Sequence, residues 1–227
     1  MAENLVPILT LDGPSGTGKG TIGRTISSEF GWHYLDSGAI YRIFALLANE
    51  AGLQSTQVKQ LANFAGQQEI DFETGAEDIV IRCNGQDRTS EIRSEQAGDA
   101  ASRFAVIPEV REILLGLQRR QAREPGLVAD GRDMGTVVFP SACLKIYMTA
   151  SAEIRLERRH KQLREKNFDV NLPQLRLEMA ERDKRDASRK SSPMAAAPDA
   201  TTVDTSNLDI NEVLAKIRLL LTERLKS

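Results

Sequence analysis

The sequence predicts an α/β fold in which a parallel sheet is covered on both faces by helices. Short apolar segments that suit buried strands alternate with longer segments of helical periodicity along most of the 227 residues. A glycine-rich loop separates the first such strand from the first helix. One stretch, at about 68–95, departs from this order because apolar and polar residues alternate in it. It predicts a small antiparallel sheet inserted at the rim of the fold.

The first part of the chain supplies two strand–helix pairs. "VPILTLDG" is predicted to be a buried strand, and residues 19–30 a helix. "WHYLDSG" predicts a second strand, after which Ser37 is expected to cap the helix "GAIYRIFALLANEAG". Residues 56–67 are expected to form a further helix. In the insert, "ETGAED" and "CNGQ" are turn signals.

The second part of the chain continues the alternation. The predicted helices are "PEVREILLGLQRRQARE" with Pro108 at its start, residues 151–166, residues 171–190 and residues 209–225. The predicted strands are "GLVADGRD", "LKIYMTA" and "TTVDT", and "SSPMAAAPDA" is a connector.

Composition limits the classes of function that the chain can have. Hydrophobic residues make up 41% and charged residues 27%, as in an ordinary globular domain. A net charge of −2 gives no basic field for nucleic acid. Cys83 and Cys143 have no metal-ligand spacing, and neither a signal peptide nor a run of 18 apolar residues is visible. We therefore expect a cytoplasmic protein with no membrane span and no nucleic-acid partner.

The loop "GPSGTGKGT", residues 13–21, fits the G-x-x-x-x-G-K spacing of phosphate-binding loops. Glycines let successive backbone N–H groups turn toward one point, where they and the positive end of the next helix neutralise phosphate oxygens. Lys19 adds a mobile cation for the β- and γ-phosphates of a nucleoside triphosphate. The alternative, an ordinary glycine-rich turn, is less consistent with the strand before the loop and the helix after it.

The residue after the lysine is Gly20, where switch GTPases have a hydroxyl that binds Mg²⁺ directly. The first hydroxyl comes one place later, at Thr21. This arrangement predicts that Mg²⁺ is held mainly by the nucleotide phosphates and by water, since this ion dehydrates reluctantly. No N-K-x-D element for reading guanine occurs in the sequence, which argues against a GTPase switch.

Charged residues recur at places where packing alone does not require them. "DSGAIYR" puts Ser37 and Arg42 at the second strand–helix crossing. Arg111 lies in the first turn of a helix, where the helix dipole disfavours a cation. "DGRDMG" puts Arg132 and Asp133 after a buried strand, where α/β folds bind ligands. Two carboxylates and a guanidinium there are costly without partners, so we interpret "DGRD" as functional.

The stretch "ERDKRDASRKSSP" places Arg182, Asp186 and Arg189 at positions i, i+4 and i+7, on one helical face. Taken alone, Arg182 and Asp186 also suit a surface ion pair worth about 0–1 kcal/mol. Arg111 taken alone suits ordinary surface charge. These residues by themselves leave both interpretations open.

Together, "GPSGTGKGT", "LDSGAIYR", "DGRDMGTVVFP" and "RDKRDASRKSSP" resemble the bacterial cytidylate kinases in order and spacing, over about residues 5–225. The first motif is generic to many kinases, whereas the second and third are much more specific. The resemblance implies a P-loop kinase core that transfers the γ-phosphoryl group of ATP to CMP or dCMP with Mg²⁺. It also implies that the insert belongs to an enlarged nucleoside monophosphate-binding region, and that the stretch from Arg155 to Arg164 is a short helical lid.

The resemblance assigns residues to the two substrates. The ATP-binding positions are Gly13, Pro14, Ser15, Gly16, Thr17, Gly18, Lys19, Gly20 and Thr21. The acceptor-binding positions are Ser37, Arg42, Ser102, Arg111, Arg132, Asp133, Arg182, Asp186 and Arg189. The catalytic side chains would be Lys19, Arg132 and Arg189, and no side chain is expected to be a direct metal ligand.

Within the acceptor site, the resemblance implies a division of roles. Arg42 and Arg132 would clamp the acceptor phosphate, while Ser102, Arg111 and Asp133 would read the cytosine. The remaining contacts would be to the sugar, by Arg182 and Asp186, and to the phosphates, by Arg189.

We expect one monomeric kinase domain over residues 1–227. Its core would comprise about 1–40, 105–150 and 190–227, with the nucleoside monophosphate-binding region at about 41–104 and the lid at about 151–170. The nearest alternative is a kinase of the same fold with another acceptor, such as UMP, AMP or shikimate. The alternative from another class is a nucleotide-dependent switch without phosphoryl transfer.

Overall fold

A parallel sheet of five strands forms the centre of the protein. The structure is a computed structural model and describes residues 6–54, 56–74, 79–93, 95–165, 169–189 and 192–226. The strands of this sheet are β1 Ile8–Asp12, β2 His33–Asp36, β6 Leu127–Gly131, β7 Leu144–Thr149 and β8 Thr201–Asp204. Their order is β2-β6-β1-β7-β8, and every neighbouring pair is parallel. The predicted parallel α/β fold is therefore confirmed.

The central strands are apolar on both faces because both faces are covered. All five residues of β1 are buried, as are four of the five in β6. In the registers of the sheet, Asp12 lies beside Gly131, and Asp36 lies beside Asp130. The carboxyl ends of these strands therefore bring acidic side chains to one edge of the sheet, where "DGRD" also emerges.

Helices surround the sheet. They are α1 Lys19–Phe30, α2 Ser37–Glu50, α3 Val58–Gly66, α4 Glu95–Phe104, α5 Pro108–Arg119, α6 Ala152–Glu165, α7 Leu172–Ala187 and α8 Ile210–Leu225. Helix α1 begins and ends where the sequence predicts. None of the helices in the described ranges is long and apolar enough to cross a membrane.

Two predictions about helices are wrong, and one helix was not predicted. Helix α5 ends at Arg119 rather than near Glu124, because the chain must turn back to begin β6 beside β1. Ser37 does not cap α2; the cap is Asp36, whose side chain accepts from the backbone N of Ala39 at 3.0 Å. Helix α4 was not predicted; most of its described buried residues are small, namely Gly98, Ala100, Ala101 and Ser102, and Phe104 is the large apolar one.

The predicted antiparallel insert is confirmed. It consists of β3 Ile70–Thr74, β4 Ile79–Cys83 and β5 Gln86–Asp87, in the order β3-β4-β5. The "CNGQ" turn joins β4 to β5, with Asn84 and Gly85 both at positive φ, 49° and 78°. The turn predicted at "ETGAED" falls on residues 75–78, which lie outside the described residues.

The main core does not include the packing between α6 and α7. Leu156 and Leu163 of α6 contact Leu175 and Met179 of α7 in a separate apolar cluster. The two helices therefore form a unit of their own, which contains most of the predicted lid.

Candidate active site

The phosphate loop connects β1 to α1 at the carboxyl edge of the sheet. Gly13, Gly16 and Gly18 have φ values of 137°, 81° and 93°, which glycine adopts without strain. A Cβ atom at Gly13 would lie 2.0 Å from the carbonyl oxygen of Met148, and one at Gly16 would lie 2.7 Å from that of Arg155. The glycines are therefore needed both for the curvature of the loop and for its contact with β7 and α6.

Lys19 is buried at the start of α1. Its Nζ donates to the carbonyl oxygen of Pro14 at 2.9 Å and lies 3.9 Å from Oδ1 of Asp130. Burial, followed by repulsion from Arg132, lowers the pKa of Lys19 to about 8. An anionic phosphate at this point would offset both effects.

A cavity of about 810 Å³ opens beside the loop. Of the nine predicted ATP-binding residues, six line it: Gly16, Thr17, Gly18, Lys19, Gly20 and Thr21. The first three, Gly13, Pro14 and Ser15, do not line it. The opposite wall comes from α6 and from the start of α8, through residues that include Arg158, Arg159, Leu208 and Val213. The cavity is large enough for a nucleotide, and we call it the donor cavity.

The arginines of the predicted lid have different positions. Arg155 reaches the carbonyl oxygen of Ser15 at 3.3 Å and pairs with Asp183 at 2.7 Å. Arg158 donates to the carbonyl oxygen of Thr205 at 2.6 Å and to its Oγ1 at 2.9 Å. These two arginines join α6 to the core, whereas Arg159 lines both the donor cavity and a second cavity between α4 and α7.

Most of the predicted acceptor residues surround one small cavity of about 50 Å³, which we call the acceptor cavity. Eight of the nine line it: Ser37, Ser102, Arg111, Arg132, Asp133, Arg182, Asp186 and Arg189. Such a volume is below that of a nucleotide, because charged side chains pair across the space. The ninth residue, Arg42, is outside it and donates to Oδ2 of Asp36 at 2.7 Å.

Asp186 joins two arginines in this cavity. Its Oδ2 accepts from Nε of Arg132 at 3.0 Å, and its Oδ1 accepts from Nη2 of Arg189. Burial opposes ionisation, but Arg132 and then Arg189 and Arg182 hold the pKa of Asp186 below its usual range. Asp186 is therefore a buried anion that keeps guanidinium groups facing the cavity.

Arg189 lies beyond the end of α7, so the predicted helical face does not include it. Its guanidinium nevertheless reaches Asp186 from the following loop. Arg189 is therefore close to Asp186 as predicted, but the path of the loop after α7 brings it there, not helical periodicity.

Arg111 and Asp133 form the opposite wall. They are paired and both are buried, and Arg111 also donates to the carbonyl oxygen of Ala105 at 3.3 Å. Its Cζ lies 5.7 Å from the centre of the Tyr41 ring. Burial raises the pKa of Asp133, against the opposing effect of Arg111. The surface-charge interpretation of Arg111 is therefore wrong.

The two serines are held by side chains that sequence reasoning missed. Ser37 Oγ donates to Oε1 of Gln118 at 2.7 Å. Ser102 Oγ accepts from Nε of Arg185 at 3.1 Å, and Arg185 also pairs with Asp99 at 2.7 Å. Arg185 immediately precedes Asp186, and this position next to a predicted site residue was the signal in the sequence that could have identified it. Pairing with Asp99 of α4 could not be foreseen without that helix.

Asp12 is another residue that sequence reasoning missed. Its two carboxylate oxygens accept from the backbone N of Met134 and of Gly135, each at 2.8 Å. Burial raises its pKa to about 6, although these hydrogen bonds oppose the shift. Asp12 therefore anchors the π-helical turn Met134–Val138 that follows "DGRD". An acidic residue that ends a buried strand was the signal.

Comparison with known proteins agrees with this geometry. Residues 9–223 match the family described as cytidylate kinase. A protein of Aeromonas salmonicida (strain A449) named cytidylate kinase is 47% identical over 213 residues, covering 94% of this chain and 93% of that protein. One of Shewanella denitrificans with the same name is 47% identical over 213 residues, covering 93% and 94%.

The fold is also similar to more distant proteins. A solved gluconokinase from Sinorhizobium meliloti 1021 aligns with a TM-score of 0.50 at 11% identity, covering 96% of this chain and 93% of that one. This likeness concerns the fold alone. The family match and the two close relatives, by contrast, extend over nearly all of the sequence and establish that the chain belongs to the cytidylate kinase family.

Proposed function

We propose that the protein transfers the γ-phosphoryl group of ATP to CMP or dCMP, forming ADP and CDP or dCDP. One observation carries the proposal beyond family membership. Lys19 lines the donor cavity and Arg132 lines the acceptor cavity, and the two cations are close enough for Arg132 to lower the pKa of Lys19. A phosphoryl group passing between the cavities would meet positive charge from both sides.

The acceptor side requires no general base. The attacking phosphate oxygen of CMP is already an anion at neutral pH, so the enzyme must position two polyanions and offset their repulsion. Lys19 would serve the donor, and Arg132 and Arg189 the acceptor and the transferring group. Guanidinium groups suit this role because their planar donors bind phosphate in a bidentate way.

Mg²⁺ completes the proposal. Bound with ATP, it would neutralise part of the charge on the phosphates. In the described residues no group of three or more His, Cys, Asp or Glu side chains could hold a metal ion. Thr21 lines the donor cavity and is exposed. We propose that the ion is held mainly by phosphates and water, since Mg²⁺ dehydrates reluctantly.

Base selection would depend on Arg111 and Asp133. Cytosine has an amino group at position 4 and an unprotonated N3, whereas uracil has a carbonyl at position 4 and a proton on N3. A carboxylate accepts from the amine and repels the carbonyl, while a guanidinium donates to an unprotonated N3. The ion pair places the two side chains next to each other. One edge of a pyrimidine could therefore bind both groups, which would then bond to the base instead of to each other.

The remaining parts of the proposal concern organisation. We place the nucleoside monophosphate-binding region at about 41–104 and the lid at about 151–170, on a core formed by the rest of the chain. The enzyme would act as a cytoplasmic monomer on small molecules, without a nucleic-acid partner. The net charge of −2 supports the last point.

An acceptor screen tests the proposal. ADP formation would be measured with ATP, Mg²⁺ and CMP, dCMP, UMP, AMP or shikimate in turn, and without an acceptor. We expect turnover with CMP and dCMP, and weaker turnover with UMP. A preference for AMP or shikimate would mean that the natural acceptor is not CMP or dCMP. ATP hydrolysis that no acceptor stimulates would favour a nucleotide-dependent switch.

A further inference from the structure

Tyr34 of β2 lies beneath the phosphate-loop helix. Its side chain is buried and occupies a groove that two glycines leave in α1. A Cβ atom at Gly23 would lie 2.6 Å from Cε2 of the Tyr34 ring, and one at Gly20 would lie 3.7 Å from its hydroxyl oxygen. Glycine at position 23 is therefore what allows the ring to reach under α1.

The Tyr34 hydroxyl contacts Asp130, the carboxylate that faces Lys19. It donates to Oδ2 of Asp130 at 3.0 Å, while Oδ1 of the same carboxylate lies 3.9 Å from Nζ of Lys19. The carboxylate thus has one oxygen on Tyr34 and the other toward the lysine. Fixing one oxygen fixes the direction of the other.

The charges around this carboxylate explain why its orientation matters. Lys19 faces it from α1, Asp36 from β2 and Arg132 from the end of β6. Burial, with Asp130 and Asp36, raises the pKa of Tyr34 well above its usual value. Tyr34 therefore keeps its proton at neutral pH and remains a donor, so its hydrogen bond persists wherever Asp130 is ionised.

A side chain at position 20, in the first turn of α1, would also lie close to Asp130. A Cβ atom at Gly20 would lie 3.5 Å from Oδ2 of Asp130, and its nearest neighbour would be Nη1 of Arg24 at 3.4 Å. These are ordinary contact distances for a Cβ atom, so a side chain at position 20 would begin beside Asp130. The chain has a glycine there and a tyrosine hydroxyl beside it.

We propose that Tyr34 is a positioning residue for phosphoryl transfer: its hydroxyl holds one oxygen of the Asp130 carboxylate and so directs the other toward Lys19. The inference rests on the proposed function. Lys19 touches the reacting phosphates, and Tyr34 acts on it through Asp130. If the Asp130 carboxylate pointed elsewhere, the Lys19 ammonium would be placed less accurately. Small misplacements near the reacting atoms lower the rate of transfer strongly.

Steady-state kinetics test this role. Tyr34→Phe keeps the ring in its groove and removes only the hydroxyl. We expect kcat to fall about 10-fold, with the KM values for ATP and acceptor little changed. Ser27→Ala is the control, because it removes a buried hydroxyl of α1 that donates only to the carbonyl oxygen of Arg24 at 2.9 Å, and it should leave kcat unchanged. An unchanged kcat in Tyr34→Phe, or a change in KM alone, would overturn the proposal.

Rescue separates positioning from packing. In the Tyr34→Phe protein, Gly20→Ser should return most of the lost kcat, since it restores a hydroxyl beside Asp130. Gly20→Ala adds the same Cβ atom without a hydroxyl and should return none. Equal effects of Ser and Ala would show that the hydroxyl is not what matters.

Unfolding measurements test the linkage without reference to the reaction. Tyr34→Phe should lower the urea midpoint, and Gly20→Ser should raise it again. In an Asp130→Ala background, Tyr34→Phe should no longer lower the midpoint, because the acceptor of the hydrogen bond is gone. A failed acceptor screen with this coupling intact would reject the proposed function alone, whereas additive effects in the unfolding measurements would reject the Tyr34 linkage alone.

Discussion

Arg111 and Asp133 form an ion pair in which both side chains are buried, on the wall of the acceptor cavity. Neither charge is exposed enough to be stabilised by water, so each depends on the other or on a ligand. A base that bonds to both groups would satisfy them together, and a mismatched base would leave one of them unpaired. This arrangement leads to the first prediction.

Asp133→Asn should narrow the preference for CMP over UMP. The amide keeps an acceptor for Arg111 but loses the negative charge, and its NH₂ group can donate to the uracil carbonyl. A buried unpaired polar group costs roughly 1–3 kcal/mol, so we expect the ratio of kcat/KM values to fall by about 10-fold or more. Competitive turnover of the two acceptors measures it. Equal losses for both would assign Asp133 to the sugar, the phosphates or the fold.

Lys19→Met should lower kcat by about 100-fold or more, the scale for loss of one electrostatic donor to a transition state. The ammonium would interact more strongly with the transferring phosphoryl group than with bound ATP, so kcat should suffer more than KM. Single-turnover measurements with saturating ATP and CMP test this. Near-normal turnover in a folded variant would contradict the assignment of the phosphate loop.

The same substitution should increase stability at pH 7. The folded pKa of Lys19 is lowered from 10.5 to about 8 by burial and by Arg132, so the protonated lysine costs stability at any pH below about 8. As pH rises from about 8 to 10.5, the folded protein releases this proton before the unfolded chain does, and the cost disappears. We expect Lys19→Met to be more stable by on the order of 1–3 kcal/mol at pH 7, and less so at pH 10. Urea unfolding at the two pH values measures the difference; a constant difference would contradict the lowered pKa.

Arg185→Met should raise the KM for CMP by about 10-fold while leaving that for ATP unchanged, because Arg185 orients Ser102. Arg103→Met is a matched control, since Arg103 pairs with the same Asp99 at 3.0 Å but is exposed. It should change the KM for CMP little, as exposed pairs contribute about 0–1 kcal/mol. In a Ser102→Ala background, Arg185→Met should add no further change. An equal effect there would mean that Arg185 acts on the fold rather than on Ser102.

Binding of both nucleotides should slow amide exchange in the insert, β3 to β5, and in the end of α6 from Arg159 to Glu165. The donor cavity holds about 810 Å³ and is lined by Arg159 and Lys161, whose charges would be drawn to phosphates. Hydrogen exchange with CMP and an inert ATP analogue, together and singly, measures the change. The second half of α8, residues 217–225, lines neither cavity and provides the internal reference. Unchanged exchange in the insert and in α6 would contradict closure.

Much of the architecture could be read from local patterns. The strands β1, β2, β6, β7 and β8, the insert and the limits of α1 follow from runs of apolar residues, alternation and glycines, which act within a few residues. The phosphate loop is the strongest case, because its glycines satisfy a backbone requirement that lies in the loop itself. Helix α4 was not predicted, because most of its described buried residues are small ones that are also common in loops.

What the sequence by itself determined is the order of the elements, the phosphate loop and the set of residues that resemble an acceptor site. Only the tertiary structure decided how those residues pair: Arg132 with Asp186, Arg111 with Asp133, and Arg185 with Ser102. It also placed Tyr34 under Gly20 and Asp12 under the turn after "DGRD". Local propensity acts over one or two turns of chain, whereas these partners are 14 to 123 residues apart. They meet because the order of the parallel strands brings distant chain segments to one edge of the sheet, where buried charges must find partners.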